Sequence, residues 1–257
     1  MLANGIANRG IAVMNKACVL FGRYPEPGQG KTRLAAALGE ESTFLLYQAL
    51  LADTAWKVSQ VPEAMPVAAL ANGEDYQAPP PDPLGRAFFE TFQRIGQEGD
   101  SFGQRLGGTF RRVFGLGFSR IVLVGADSPE LSLHDLTDAF AKLEQHDLVL
   151  GPAADGGYYL IALKRFYSSL FENITWSTSA VFAETVHKAE ALGLTVATTA
   201  QRWDVDFLSD LAALKERRTG RPERTSSCPA TDAWLKGQLA EQQGTPPLLS
   251  DREGEAT

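Results

Sequence analysis

Short apolar runs bounded by glycine, proline and polar residues alternate along the chain with stretches whose apolar positions recur at helical spacing. Ala17–Phe21, Val67–Leu70, Arg120–Val124, Asp147–Leu150, Tyr158–Leu163 and Thr195–Thr199 are predicted strands. Between them, helices are predicted from about Thr32 to Gly39, over Ser42–Val58 with Ser42 as cap, and over Ser101–Phe114, Leu133–Leu143 and Ala180–Leu192. A last helix is predicted from Asp206 to Lys215. The four prolines of Ala71–Pro83 predict an exposed loop. This alternation implies an α/β fold, a mostly parallel sheet covered on both faces. The strands ending at Phe21, Val124 and Leu150 are expected to be neighbours, with their loops on one edge.

One folded domain is expected over 17–218. Residues 1–16 read as an N-terminal extension, with translation from Met14 as the alternative. Residues 219–257 are rich in Ser, Pro, Gln and Glu and read as a flexible tail, with one or two helical turns around Trp234.

Composition narrows the partners. The 257 residues carry 24 Lys and Arg against 31 Asp and Glu, a net charge of −7 with no basic block. That is a poor profile for a nucleic-acid binder, although a few local cations suffice for a small phosphate ester. No apolar stretch approaches the roughly 20 residues of a membrane span. The N-terminus lacks the contiguous apolar stretch of a signal peptide. Two cysteines make no disulfide framework, and Cys18 lies within an apolar run, which suits a reducing cytoplasm.

Three strand ends carry unusual chemistry, and ligands of open α/β sheets sit beyond the carboxyl ends of strands. Phe21–Leu34 reads FGRYPEPGQGKTRL. Gly28 and Gly30 permit close backbone approach to an anion, a helix N-terminus follows, and Arg23, Lys31 and Arg33 add cations. The phosphate loop template would need Gly at position 25, where Pro25 stands, so a solvated basic turn or another kind of phosphate site is left. Asp127, in Gly125–Leu131, can either hold Mg²⁺ or Mn²⁺ or, like Ser128, cap a turn. Asp204 and Asp206 can supply a second metal ligand, or Asp206 can serve as an N-cap. Asp155-Gly156-Gly157-Tyr158-Tyr159 suggests close ligand approach with Asp155 as a base or sugar grip, or a plain turn before a strand. Trp176 either lines a pocket or packs on the sheet.

Taken together these segments resemble the GT-A-fold nucleotide-diphospho-sugar transferase superfamily. They are most similar to the bacterial radical-SAM/selenodomain-associated transferase 1 family, a glycosyltransferase-like group. Phe21–Leu34 matches its F-x-R-x-P-x-P-G-x-x-K-T-R-L throughout. Gly99–Leu106, with one extra residue, corresponds to G-D-L-G-x-R-L and brings in Arg105. Gly125–Leu131, Gly151–Ile161 and Trp176–Thr178 match further motifs. One departure stands out: the family's D-x-D-T-x-x-D-L has Phe207 in place of Thr, while Asp204, Asp206, Asp210 and Leu211 are kept.

The resemblance implies a Rossmann-like three-layer sandwich with a mostly parallel mixed sheet. It implies that Asp127 and Asp206 hold Mg²⁺ or Mn²⁺ on a nucleotide's phosphates. Arg23, Gly28, Gly30, Lys31, Arg33 and Arg105 are then phosphate-binding, with Lys31 and Arg33 catalytic. Asp155, Gly156, Gly157, Tyr158 and Trp176 face the sugar or acceptor, with Asp155 as the base. Glycosyl transfer from a nucleotide sugar to a small-molecule acceptor is the implied reaction. The KTRL loop is also similar to the phospholactate guanylyltransferases, so nucleotidyl transfer releasing pyrophosphate is the alternative. A non-catalytic nucleotide-binding module is the third possibility.

Overall fold

The computed structural model describes residues 14–71, 91–218 and 228–244. Seven strands form one sheet in the order β3-β2-β1-β4-β6-β5-β7. They are β1 (Lys16–Arg23), β2 (Ala64–Ala71), β3 (Gln93–Gly96), β4 (Arg120–Gly125), β5 (Leu148–Pro152), β6 (Tyr158–Leu163) and β7 (Val196–Thr198). Only β6 runs against the others, pairing antiparallel with both β4 and β5. The strand ending near Leu150 therefore lies one place further from β4 than expected, because β6 intervenes. Two antiparallel steps restore direction, so the carboxyl ends of β1, β4 and β5 still share one edge.

Alternate residues of each strand face opposite layers. Cys18, Leu20, Val122 and Val124 pack against Leu51, Ala55 and Val58 of α2 (Glu40–Ser59) and Leu136, Ala139 and Phe140 of α4 (Leu133–Lys142). Ala17, Val19, Phe21, Ile121 and Leu123 pack against Leu106, Phe110 and Val113 of α3 (Phe102–Gly115) and Ala189 of α5 (Val181–Ala191). The result is the expected three-layer sandwich with a mixed sheet. The buried positions of the strands are apolar apart from Tyr159, whose hydroxyl bonds with Thr199 at 2.8 Å, which fits burial on both faces.

Local chemistry sets the helix boundaries. Gly39, at φ 83°, ends α1 (Thr32–Leu38) through its N–H on Ala35 and starts α2 by accepting from Thr43. Ser42 is therefore inside α2 and is not its cap. The capping boxes of Ser101 and Ser132 start α3 and α4. α6 (Leu208–Arg218) begins two residues later than predicted, because the Asp210 carboxylate takes the N–H groups of Asp206 and Phe207.

Part of the stretch expected to be a flexible tail is a docked helix, α7 (Pro229–Gly244). Leu235 joins Leu34, Leu46, Leu50, Leu211 and Leu214 in a third apolar cluster. Asp53 of α2 accepts the N–H groups of Ala230 and Thr231 and the Thr231 hydroxyl, capping α7 from another helix. The remainder of the expected tail, 219–227 and 245–257, lies outside the described residues, as do 1–13 and most of the proline-rich loop. Cys18 and Cys228 are buried free thiols. No described helix is long and apolar enough to cross a membrane.

Candidate active site

The strand-end edge gathers residues from distant parts of the chain. β1 ends at Arg23, whose backbone N–H donates to Tyr47 Oη at 2.9 Å and whose carbonyl accepts from the same hydroxyl at 2.8 Å. This fixes where the first loop leaves the sheet. Gly28 and Gly30 then take φ of 73° and 82°, and Lys31 takes φ 41°. A left-handed conformation is sparse for lysine and marks a constrained position.

The Lys31 side chain supplies the constraint. It is only 6% exposed, and its Nζ lies 2.7 Å from Asp127 Oδ1 and 3.2 Å from Asp206 Oδ1. It also donates to the Val205 carbonyl at 2.6 Å. Burial opposes the charge, but Asp127 and Asp206 outweigh it and hold the ammonium above the usual lysine range. Asp127 and Asp206 are 79 residues apart in sequence and converge on one cation. The cation between them here is Lys31, so its ammonium is committed to carboxylates and does not project freely towards a phosphate.

Further bonds stitch the two acidic loops together. The Val205 N–H donates to the Asp127 carbonyl at 3.0 Å. Ser128 is buried and donates its hydroxyl to Asp204, so it neither caps a turn nor faces solvent. Burial, and then the charges of Asp127, Asp155 and Asp206, push the Asp204 carboxyl up to about 7. Asp206 is not an N-cap: the helix begins at Leu208, and Asp210 in its first turn reaches back to accept the N–H groups of Asp206 and Phe207.

Two adjoining cavities open here. The smaller, about 350 Å³, is lined by Arg23, Gly30, Lys31, Gln97, Arg105 and Asp127, among others. The larger, about 640 Å³, is lined by Arg33, Asp155, Trp176, Trp203, Phe207 and Asp210, among others. Phe102, Tyr158, Asp204 and Asp206 belong to both walls, so the acidic pair stands at the junction. Lys31, Arg23 and Arg105 thus line one cavity. Arg33 does not join them: its guanidinium stacks 4.8 Å over the Phe207 ring, in the larger cavity. Phe207, which stands where the resembled motif has Thr, is what holds it there.

The D-G-G turn is tight for an internal reason. Asp155 Oδ1 accepts the Gly157 N–H at 2.9 Å. Gly156 has φ 91°, and a Cβ there would run into the Ser179 carbonyl oxygen. Its glycine is needed by the neighbouring backbone, where close approach by a ligand had been expected. Gly157 and Asp155 nevertheless line the larger cavity. Tyr158 contributes its ring, since its hydroxyl is buried and burial holds the phenol far above its ordinary range. Trp176 both lines the cavity and packs, 5.0 Å from Phe102 and edge-on to Tyr158.

Several supporting residues carry no sequence motif. Lys57 is almost fully buried and donates to the Pro129 carbonyl at 3.0 Å, holding the loop of Asp127 from below. Burial lowers its pKa to about 8. Arg202 pairs with the buried Asp135 through two bonds of 2.9 and 2.7 Å, fixing the approach to Trp203 and Asp204. Leu46, Leu50, Asp53 and Lys57 share one face of α2 at helical spacing, and that periodicity could have marked the two charges as buried.

Among the described residues no group of three or more His, Cys, Asp or Glu side chains is placed to hold a metal ion. The donor set that is present, two aspartates each 46% exposed, still fits Mg²⁺ or Mn²⁺. Such hard ions are commonly held by one or two carboxylates with substrate phosphates completing the shell.

Comparison with known proteins bears on the fold. A family of uncharacterised proteins conserved in bacteria, DUF2064, matches residues 45–178. The solved structure of a candidate nucleotide-diphospho-sugar transferase from Desulfovibrio desulfuricans G20 is 29% identical, with a TM-score of 0.74 over 87% of this chain and 95% of that one. A 4-diphosphocytidyl-2C-methyl-D-erythritol synthase from Anaerococcus prevotii DSM 20548 shares the fold at 9% identity, with a TM-score of 0.51 over 79% and 96% of the two chains. No curated protein matches. The GT-A-type fold expected from the motifs is thereby borne out.

Proposed function

The chain belongs to the DUF2064 family of bacterial proteins, and from that premise we propose that it is a transferase for a nucleotide-activated substrate, specifically a glycosyltransferase using a nucleotide-diphosphate sugar. The observation that carries this is the placement of Asp206 where a cavity holding Arg23, Lys31 and Arg105 meets an aromatic, carboxylate-lined one, with Asp127 on the wall of the first. The similar Desulfovibrio protein, a candidate nucleotide-diphospho-sugar transferase, supports the same reading.

The smaller cavity takes the nucleotide diphosphate. Arg23 and Arg105 offset its charge, and Lys31 keeps a positive charge at the junction. Asp127 and Asp206 are the residues that would hold Mg²⁺ or Mn²⁺, which supplies Lewis-acid stabilisation of the leaving diphosphate. The larger cavity takes the sugar and the acceptor. Asp155 lines it with one carboxylate oxygen already fixed by Gly157, so the other is the oxygen available to take the acceptor hydroxyl proton. The buried ammonium of Lys31 holds the Asp127 and Asp206 carboxylates together beside the diphosphate.

The test is a thermal-shift comparison of the parent with Asp127→Asn, using nucleoside diphosphates and nucleotide sugars with Mn²⁺. Binding to the native state raises the melting temperature. The parent should respond, and Asp127→Asn should need at least about 10-fold more ligand for the same shift. Equal responses would remove Asp127 from the site.

A further inference from the structure

The larger cavity is more specific in character than a sugar-transfer reading alone requires. At about 640 Å³ it has the size of a small-molecule site. Phe102, Trp203 and Phe207 are 42%, 43% and 47% exposed, and all three stand on its wall together with Trp176. Large aromatic rings held in water around one cavity mark a binding surface more than a packing accident.

The polar wall is one-sided. Asp155 and Asp210 line it away from the junction, Asp206 at the junction is already paired with Lys31 and Asp204 with Ser128, and Arg33 is the cation in its lining. Arg33 already lies over Phe207. The cations Arg23, Lys31 and Arg105 belong to the other cavity. A phosphate or carboxylate entering here would meet the carboxylates of Asp155 and Asp210. Hydroxyl groups would meet acceptors, and the C–H faces of a saturated ring would meet aromatic faces.

We propose that the larger cavity selects an uncharged, hydroxyl-rich acceptor, a neutral polyol or glycoside, and rejects its phosphorylated or carboxylated counterparts. This rests on the transfer reading above for the word acceptor, but the selectivity itself is a property of the cavity and can be measured without turnover. Trp176 and Trp203 make it visible, because a ligand stacking there changes tryptophan emission.

The experiment titrates the full chain with matched pairs, methyl glucoside against glucose 6-phosphate and glycerol against glycerol 3-phosphate. Tryptophan fluorescence is read with and without nucleoside diphosphate and Mn²⁺. Saturable changes are expected with the neutral member, at least about 10-fold weaker binding of the phosphate ester, and a gap that narrows as salt screens the carboxylates. Asp155→Asn should narrow the same gap, and Trp203→Phe should reduce the signal. A phosphate ester that binds as tightly as its neutral partner overturns the proposal. So does a cavity in which no neutral member of the panel alters the emission. Failure of the transfer reading would appear elsewhere, as the absence of nucleoside diphosphate release from any nucleotide sugar, and leaves this titration interpretable.

Discussion

Both cavities are entered over a glycine-containing loop at a strand end, yet the glycines do different things. Gly30, beside the smaller cavity, has φ 82° and open space where a Cβ would go. Gly156, beside the larger one, has φ 91° and the Ser179 backbone where a Cβ would go. The charges divide as well. Arg23, Lys31 and Arg105 stand with Asp127 on one side, Asp155 and Asp210 with Arg33 and three aromatic rings on the other, and Asp204 and Asp206 between them. A glycine-rich strand end is therefore not one kind of signal. One loop leaves room for an anion, and the other is closed against its own chain so that the side chains beside it can face a ligand.

The largest effect should come from removing the cation at the junction. Lys31→Met is expected to lower kcat by at least about 100-fold. It should also destabilise the fold by about 1–2 kcal/mol, a discounted figure because both carboxylates are half exposed. Mn²⁺ should then raise the melting temperature of the variant more than that of the parent, since no ammonium competes for the carboxylates. Steady-state kinetics and calorimetry read both. An unchanged kcat would break the division of charge between the cavities.

The glycines give the next contrast. Gly156→Ala should cost about 2–4 kcal/mol, from positive φ combined with collision against backbone. Gly30→Ala meets only the conformational penalty, about 1 kcal/mol. Chemical denaturation of the two variants measures the difference, and equal losses would contradict the distinction drawn above.

The sequence was most informative where chemistry is written locally. The first loop, the strand-end Asp127, the D-G-G turn and the paired aspartates of the last loop are all visible as motifs, and each reaches the same edge of the sheet. The partner of Lys31 was not legible, because it depends on two loops brought together by distant strands. Nor could the sequence separate Arg33 from Lys31. Only the ring of Phe207 does that, and its place beside Arg33 follows from how α1 and α6 pack. β3, a four-residue strand, was missed because Gln93–Gly96 has a single buried side chain and little alternation to detect. α7 was hidden by the polar composition of its surroundings. Its docking rests on Asp53, whose role at a helix terminus 177 residues away leaves no trace in local pattern.

A smaller effect sharpens the junction further. The Asp204 carboxyl is held at about 7, above its ordinary 3.8. The folded protein therefore keeps this proton where the unfolded chain has lost it, and stability from this group falls as pH rises from about 4 to about 7. Asp204→Asn removes that slope. Relative to the parent, the variant should melt higher at about pH 8 than at about pH 5. Melting curves across that range check the sign, and a pH-independent difference would mean that Asp204 is not protonated by its surroundings.

The central claim is sugar transfer at the meeting point of the two cavities, and product identity tests it most directly. Phosphorus NMR of the full chain with Mn²⁺, a panel of nucleotide sugars and neutral acceptors should show nucleoside diphosphate accumulating, with no pyrophosphate from nucleoside triphosphates and sugar phosphates. Pyrophosphate from a triphosphate, with nucleotide sugars left intact, would contradict the account and assign the site to nucleotidyl transfer.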